Sequence, residues 1–224
     1  MFAVIFEVEP REDGRDAYLE LAGQLKPKLE AMDGFILNER FAARRGGRWL
    51  LLSLSIWRDE KSLIRWRAQE DHHRVQRKGR ARVFADYRIR VGEIIGDSAA
   101  PDGPFPAPQR LDATESDAAK TCTVTEAVLP EGAARQGPPL ELMRLDPDAQ
   151  GLVAHEIFDS IYNPAKLLIL ASWQDDLAAE AWKPVAFAGA SELRHRQIRV
   201  IRDYGMFDRR EAPQYHPEVE PRPV

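Results

Sequence analysis

Phe2–Val8 is short, apolar and rich in β-formers, and Pro10 stops it, so it predicts a strand. From Gly14 to Met32 the apolar positions Tyr18, Leu21, Leu25, Leu29 and Met32 recur every three or four residues. That is one face of an amphipathic helix, and Asp33-Gly34 supplies its C-terminal stop. Phe35–Ala43 and Trp49–Trp57 predict two strands joined at Arg45-Gly46-Gly47 as a hairpin. On the second of these, Leu50, Leu52, Leu54 and Ile56 share one face, and Trp49, Leu51, Ser53, Ser55 and Trp57 share the other. Both faces are largely apolar, so both need cover. Helices of the same domain cover one, and a partner sheet is the candidate for the other. Asp59–Tyr87 predicts a mainly helical stretch, with Leu63, Trp66, Glu70 and His73 on one stripe and Gly79 as a point of division. Arg88–Ile95 is a fourth strand. Strand, helix, strand, strand, helix, strand is the ferredoxin-like βαββαβ order, an α+β class.

Gly96–Lys120 changes character. It is rich in Pro, Ala, Asp and Gly without an apolar period, which marks an interdomain linker. Beyond it the first half is restated. One constant offset separates Trp57 from Trp173 and Trp66 from Trp182, and Ile89-Arg90-Val91 reappears as Ile198-Arg199-Val200. An internal period this long is a domain duplication. The copies are unequal: Glu131–Gln150 stands where the first helix should be, but Pro138-Pro139 and Pro147 break it. The second long helix is shortened as well, and Pro184 interrupts it. The expected organisation is therefore a domain at 1–95, a linker at 96–120, a pared-down copy at 121–208 and a tail at 209–224.

The composition narrows the function. A formal net charge of −4 over 224 residues gives no clustered basic face for nucleic acid, and Arg74–Arg82 reads as a charged helix flank. Cys122 is the only cysteine, so neither an intrachain disulfide nor a cysteine-based metal cluster is available, which suits a cytoplasmic location. The N-terminus lacks the pattern of a signal peptide, and no apolar run has the length of a membrane span. No glycine-rich phosphate loop and no Gly-x-Ser-x-Gly motif occurs. Glu70 and His73 have helical spacing but find no further ligands, so no metal site is expected.

The run from Trp57-Arg58-Asp59-Glu60 through Trp66-Arg67 and His73-Arg74-Val75-Gln76-Arg77-Lys78-Gly79-Arg80 to Phe84-Ala85-Asp86-Tyr87-Arg88-Ile89-Arg90-Val91 resembles the antibiotic biosynthesis monooxygenase (ABM) domain. The resemblance is good over residues 1–95 and weaker over 121–208. It implies that the two ferredoxin-like repeats pair through their sheets as an intrachain dimeric α/β barrel, which would cover the doubly apolar strand. A further homodimer of chains stays open. It also implies an oxygenase acting on a small aromatic or polycyclic substrate in the helix–sheet cleft of the first repeat, without metal or flavin.

In that scheme His73 is the base and Asn38 or Tyr87 holds a substrate oxygen, while Tyr18, Trp57 and Trp66 line the substrate. Each has a plainer reading: a histidine satisfied by a local hydrogen bond, tryptophans that pack the core, tyrosines at an amphipathic edge, a solvent-exposed asparagine. Two further functions compete. One branch of the family binds and degrades haem, with an axial histidine about three residues beyond His73, where this chain has Gln76, and an asparagine on the first strand, which Phe2–Val8 lacks. The other alternative is a non-enzymatic small-ligand-binding protein.

Overall fold

In a computed structural model, residues 1–100, 107–129, 137–186 and 190–219 are described. The first repeat runs β1 (Phe2–Pro10), α1 (Gly14–Glu30), β2 (Phe35–Arg45), β3 (Arg48–Trp57), α2 (Glu60–Ala68), α3 (Glu70–Lys78), a π-helical turn (Gly79–Val83) and β4 (Phe84–Asp97). The second runs β5 (Thr121–Val128), α4 (Pro139–Leu142), β6 (Leu152–Ser160), β7 (Lys166–Trp173), α5 (Asp176–Ala181) and β8 (Glu192–Gly205). The strand order is β4-β1-β3-β2 in one repeat and β8-β5-β7-β6 in the other, the same ferredoxin-like order twice. The class is α+β, with two ferredoxin-like repeats.

The described chain divides into two compact units. The first holds Met1–Arg40, Arg44–Val91 and Arg202–Val224, so the end of β8 and the C-terminal tail belong with the N-terminal residues. Here β1 pairs antiparallel with β3, Val4 opposite Ser55 and Phe6 opposite Ser53. The predicted amphipathic face of α1 is met by buried Tyr18, Leu21, Ala22 and Leu29. Gly34 takes the left-handed conformation after α1 (φ 80°), where a side chain is costly. The tight turn of Gly46 and Gly47 (φ 55° and 81°) closes the hairpin.

The long helix predicted over Asp59–Tyr87 is instead three pieces. Asp59 caps α2 through a bond from Ser62 N. The break falls at Gln69, which leaves helical geometry (ψ 131°) while its side-chain oxygen accepts from the backbone of Asp71 and His72. Gly79, the expected divider, stays right-handed helical and leads into the π turn. β4 starts at Phe84, so Tyr87 is a strand residue.

The second unit holds Phe41–Ala43 and Gly92–Ile201. Phe41 and Ala42 of β2 pair antiparallel with Ser160 and Asp159 of β6, so the repeats do meet through their strands. Part of the expected linker (101–106) and of the degenerate helix (131–136) lies outside the described residues. The remainder of that degenerate segment forms only the four-residue α4, as its prolines demand. Met143, Leu145, Trp173 and Trp182 pack into one buried cluster. The described part of the expected linker does not dangle: the Glu93 carboxylate accepts from Gln109 N at 2.8 Å and from Arg110 N at 2.8 Å.

Candidate functional site

A cavity of about 190 Å³ lies in the first unit between the sheet and the helices. β3 explains it. Ser53 and Ser55 occupy consecutive positions on the helix-facing side, between the larger Leu51 and Trp57. Opposite them β1 supplies Val4 and Phe6. Two short side chains in a row leave a recess that α1 roofs with Tyr18, Leu21, Leu25 and Leu29.

Of the residues expected at the site, Asn38, Tyr87, Tyr18 and Trp66 line this cavity. Asn38 donates from Nδ2 to Ser53 Oγ (2.8 Å) and to Leu54 O (3.0 Å), so its carbonyl oxygen is the group left for a ligand. The Tyr87 hydroxyl accepts from Arg80 and, at 3.0 Å, from Arg209 Nη1, and it keeps its own proton to donate. Arg80 comes from the π turn and is buried, a placement with no signal in the sequence.

His73 does not line the cavity; His72 does. The sequence expectation carries one helical stripe from Leu63 and Trp66 through to His73. Because the chain leaves helical geometry at Gln69, α3 restarts in a new phase and turns His72, Val75 and Gln76 inward. His73 instead stacks on His216 of the tail, ring centres 5.3 Å apart. Trp57 is also not a wall of the cavity. It is fully buried, donates from Nε1 to Ser55 Oγ (3.0 Å) and meets Phe35 edge-on, so it packs the core as its counterpart Trp173 does.

His72 lies flat against Trp66, centroids 4.4 Å apart, with Nδ1 3.1 Å from Trp66 O. A carbonyl only accepts, so Nδ1 carries the proton and Nε2 holds the lone pair. Burial, with a smaller push from His73, brings its pKa down to about 4. The ring is thus neutral at physiological pH.

Sequence reasoning misses Arg40, Arg67, Arg80, Tyr204, Arg209, Gln214 and His216, all of which line the cavity. The tail lies over it: Arg209 Nη2 donates to Gln214 O at 2.7 Å, and Gln214 Nε2 donates to Arg67 O at 3.1 Å. Among the described residues no group of three or more His, Cys, Asp or Glu is placed to hold a metal, and no helix is long and apolar enough to cross a membrane.

Comparison with known proteins gives consistent matches. The profile of the antibiotic biosynthesis monooxygenase family matches residues 1–78. The chain is 38% identical over 223 residues to a protein of Pyricularia oryzae named jasmonate monooxygenase ABM, covering 97% of this chain and 99% of that one. Among solved structures, a crystal structure of aldoxime dehydratase superposes with a TM-score of 0.56 at 12% identity, over 89% of this chain and 80% of that one. A second, in complex with butyraldoxime, gives 0.54 at 13%, over 89% and 79%. At such identities these structures bear on fold alone.

Proposed function

The chain belongs to the antibiotic biosynthesis monooxygenase family, and from that premise we propose that it is an oxygenase acting on a small, mainly apolar cyclic substrate in the cavity of the first unit. The observation that carries this is the cavity: apolar walls from β1 and α1, with Asn38, His72 and Tyr87 as its directional polar groups. Jasmonate, the substrate named for the Pyricularia relative, is the first compound to test.

His72, rather than His73, is the proton acceptor in this reading. Its weakness has a consequence. Taking a proton from an ordinary phenol (pKa about 10) with a base of pKa about 4 is uphill by about 8 kcal/mol. Unaided deprotonation of a phenol is therefore disfavoured. A substrate anion here needs the arginines and the Tyr87 hydroxyl to stabilise it.

Haem fits this cavity poorly. His72 Nε2 would be an available ligand nitrogen, but about 190 Å³ is less than the roughly 300 Å³ that sites for drug-sized ligands begin at. No step is assigned to it.

The test is oxygen uptake and product mass with jasmonate and a panel of phenols, run with and without haemin and a reductant. The expected product is heavier than its substrate by one oxygen or by one oxygen less two hydrogens. His72→Ala should remove turnover, while His73→Ala should keep most of it. Turnover undiminished in a Leu21→Trp variant, which fills the recess, would move the reaction away from this cavity.

A further inference from the structure

We propose that Arg40 is an anion anchor and that the ligand of this cavity is a small monocarboxylate, its acid group held by the Arg40 guanidinium and its apolar body lying against β1 and α1. The inference rests on reading the cavity as the substrate site and goes further by fixing the chemical class and the residue that selects it.

Arg40 sits on β2 two residues from Asn38, on the same face of the strand, and only 7% of it is exposed. Its Nε is buried without a hydrogen-bond partner, and among the described residues Arg40 forms no ion pair. The buried arginines Arg90 and Arg196 of the sheet share the unbonded Nε but differ in having a counter-ion. Arg90 is paired with Glu7, and Arg196 with Asp97 and Glu126. A guanidinium cannot shed its proton to escape burial, so a buried one without a counter-ion is costly unless an anion arrives.

The rest of the wall agrees. Four arginines line the cavity (Arg40, Arg67, Arg80 and Arg209) and no Asp or Glu does, although acidic residues outnumber basic ones, 36 to 32, in the chain. Arg80 and Arg209 donate to neutral oxygens, the Tyr87 hydroxyl and the backbone carbonyls of Met206 and Gln214, which leaves their charge uncancelled. The cavity is thus electropositive in an acidic protein. A planar fork with free donors matches a carboxylate, and the apolar remainder of the wall excludes a highly charged ligand. Gln76 Oε1, buried in the same wall without a partner, is an acceptor suited to a hydroxyl of the ligand.

The test is calorimetric titration of the full chain with jasmonate and, separately, its methyl ester, which differ only in the acid group. The free acid should bind at least tenfold more tightly. Arg40→Gln should weaken the acid by roughly ten- to a hundredfold, the worth of a charge-assisted hydrogen bond, and leave the ester unchanged. Arg40→Lys should restore part of the preference. Because no native partner is lost, Arg40→Gln should melt no lower than the parent when ligand-free. Equal binding of acid and ester, with both lost in Leu21→Trp, would overturn the anchor while keeping the cavity reading. Binding of both that survives Leu21→Trp would overturn the cavity reading itself. A lowered melting point in Arg40→Gln with the acid preference intact would make Arg40 a structural residue.

Discussion

Several contacts hold the tail against the cavity, among them Gln214 Nε2 on Arg67 O, Arg80 on Pro217 O and the His73–His216 stack, and Arg209 makes three hydrogen bonds of its own there. Arg209 donates from Nη1 to the Tyr87 hydroxyl (3.0 Å) and to Gly205 O (3.2 Å), and from Nη2 to Gln214 O (2.7 Å). In Arg209→Gln the shorter, neutral amide cannot span all three. Losing one charged donor from the Gln214 carbonyl costs about 1.5–3 kcal/mol. That raises the open fraction of the strap around Gln214 by roughly ten- to a hundredfold. The strap's start is held independently, since Met206 N donates to Tyr87 O at 3.0 Å. Opening should therefore be local. Hydrogen exchange followed by mass spectrometry should show faster exchange for 211–217, with β1 and β3 unchanged. A ligand should leave the variant faster by a similar factor, and the melting temperature should fall by only a few degrees. Exchange at 211–217 equal to the parent's would refute the account. Loss of protection throughout β1 and β3 would show that Arg209 holds the fold rather than the strap.

Gly34→Ala should destabilise the protein by about 2–4 kcal/mol in urea titration, because Gly34 has φ 80° and a Cβ there would lie 2.1 Å from the buried Ser62 hydroxyl. Gly92→Ala should also be destabilising, since its Cβ would meet the Arg199 carbonyl oxygen at 2.4 Å, a backbone atom that cannot step aside. His72 sets an acid limit. Its folded pKa of about 4 lies below the unfolded value near 6.5, so the neutral ring favours the fold. That stability is complete above pH 6.5 and is lost as the pH falls from there to 4. The loss amounts to up to about 3 kcal/mol, and His72→Gln should flatten the dependence of stability on pH in that window. His216, lowered the same way by burial and by Arg80, should make the strap open over the same interval, which exchange measured at pH 5 and pH 7 would register.

The legible part of the chain is the part that hydrophobic period controls. The order of elements along the chain, the hairpin, the amphipathic α1 and the duplication follow from alternation and from paired tryptophans, and the doubly apolar β3 by itself calls for cover on both faces. The cavity is half legible. Asn38, Tyr18, Trp66 and Tyr87 stand out in the sequence as polar or aromatic positions at the helix–sheet junction, and they do line it. The Ser53 and Ser55 pair that creates the recess is equally visible in the sequence. It reads there as part of an apolar face because alternation registers polarity and not side-chain volume.

The misplaced histidine has a different origin. Gly79 has the residue type that interrupts helices, while Gln69 does not, yet the chain breaks at Gln69 and runs on through Gly79. A glutamine ends a helix only by spending its side chain on the next one's free amides, as Gln69 does for Asp71 and His72. That choice depends on tertiary fit rather than propensity. One residue of phase then exchanges the histidine facing the cavity for the one stacked on the tail. The exchange gives each a defined task. His72, kept neutral by burial and stacked on Trp66, faces the cavity, whereas His73 stacks on His216 and so helps hold the tail. The two single variants separate these tasks. His72→Ala should remove chemistry without loosening the tail, and His73→Ala should loosen the tail without removing chemistry. A single defect shared by both variants would mean that the His-His pair acts as one structural unit and that neither histidine touches substrate.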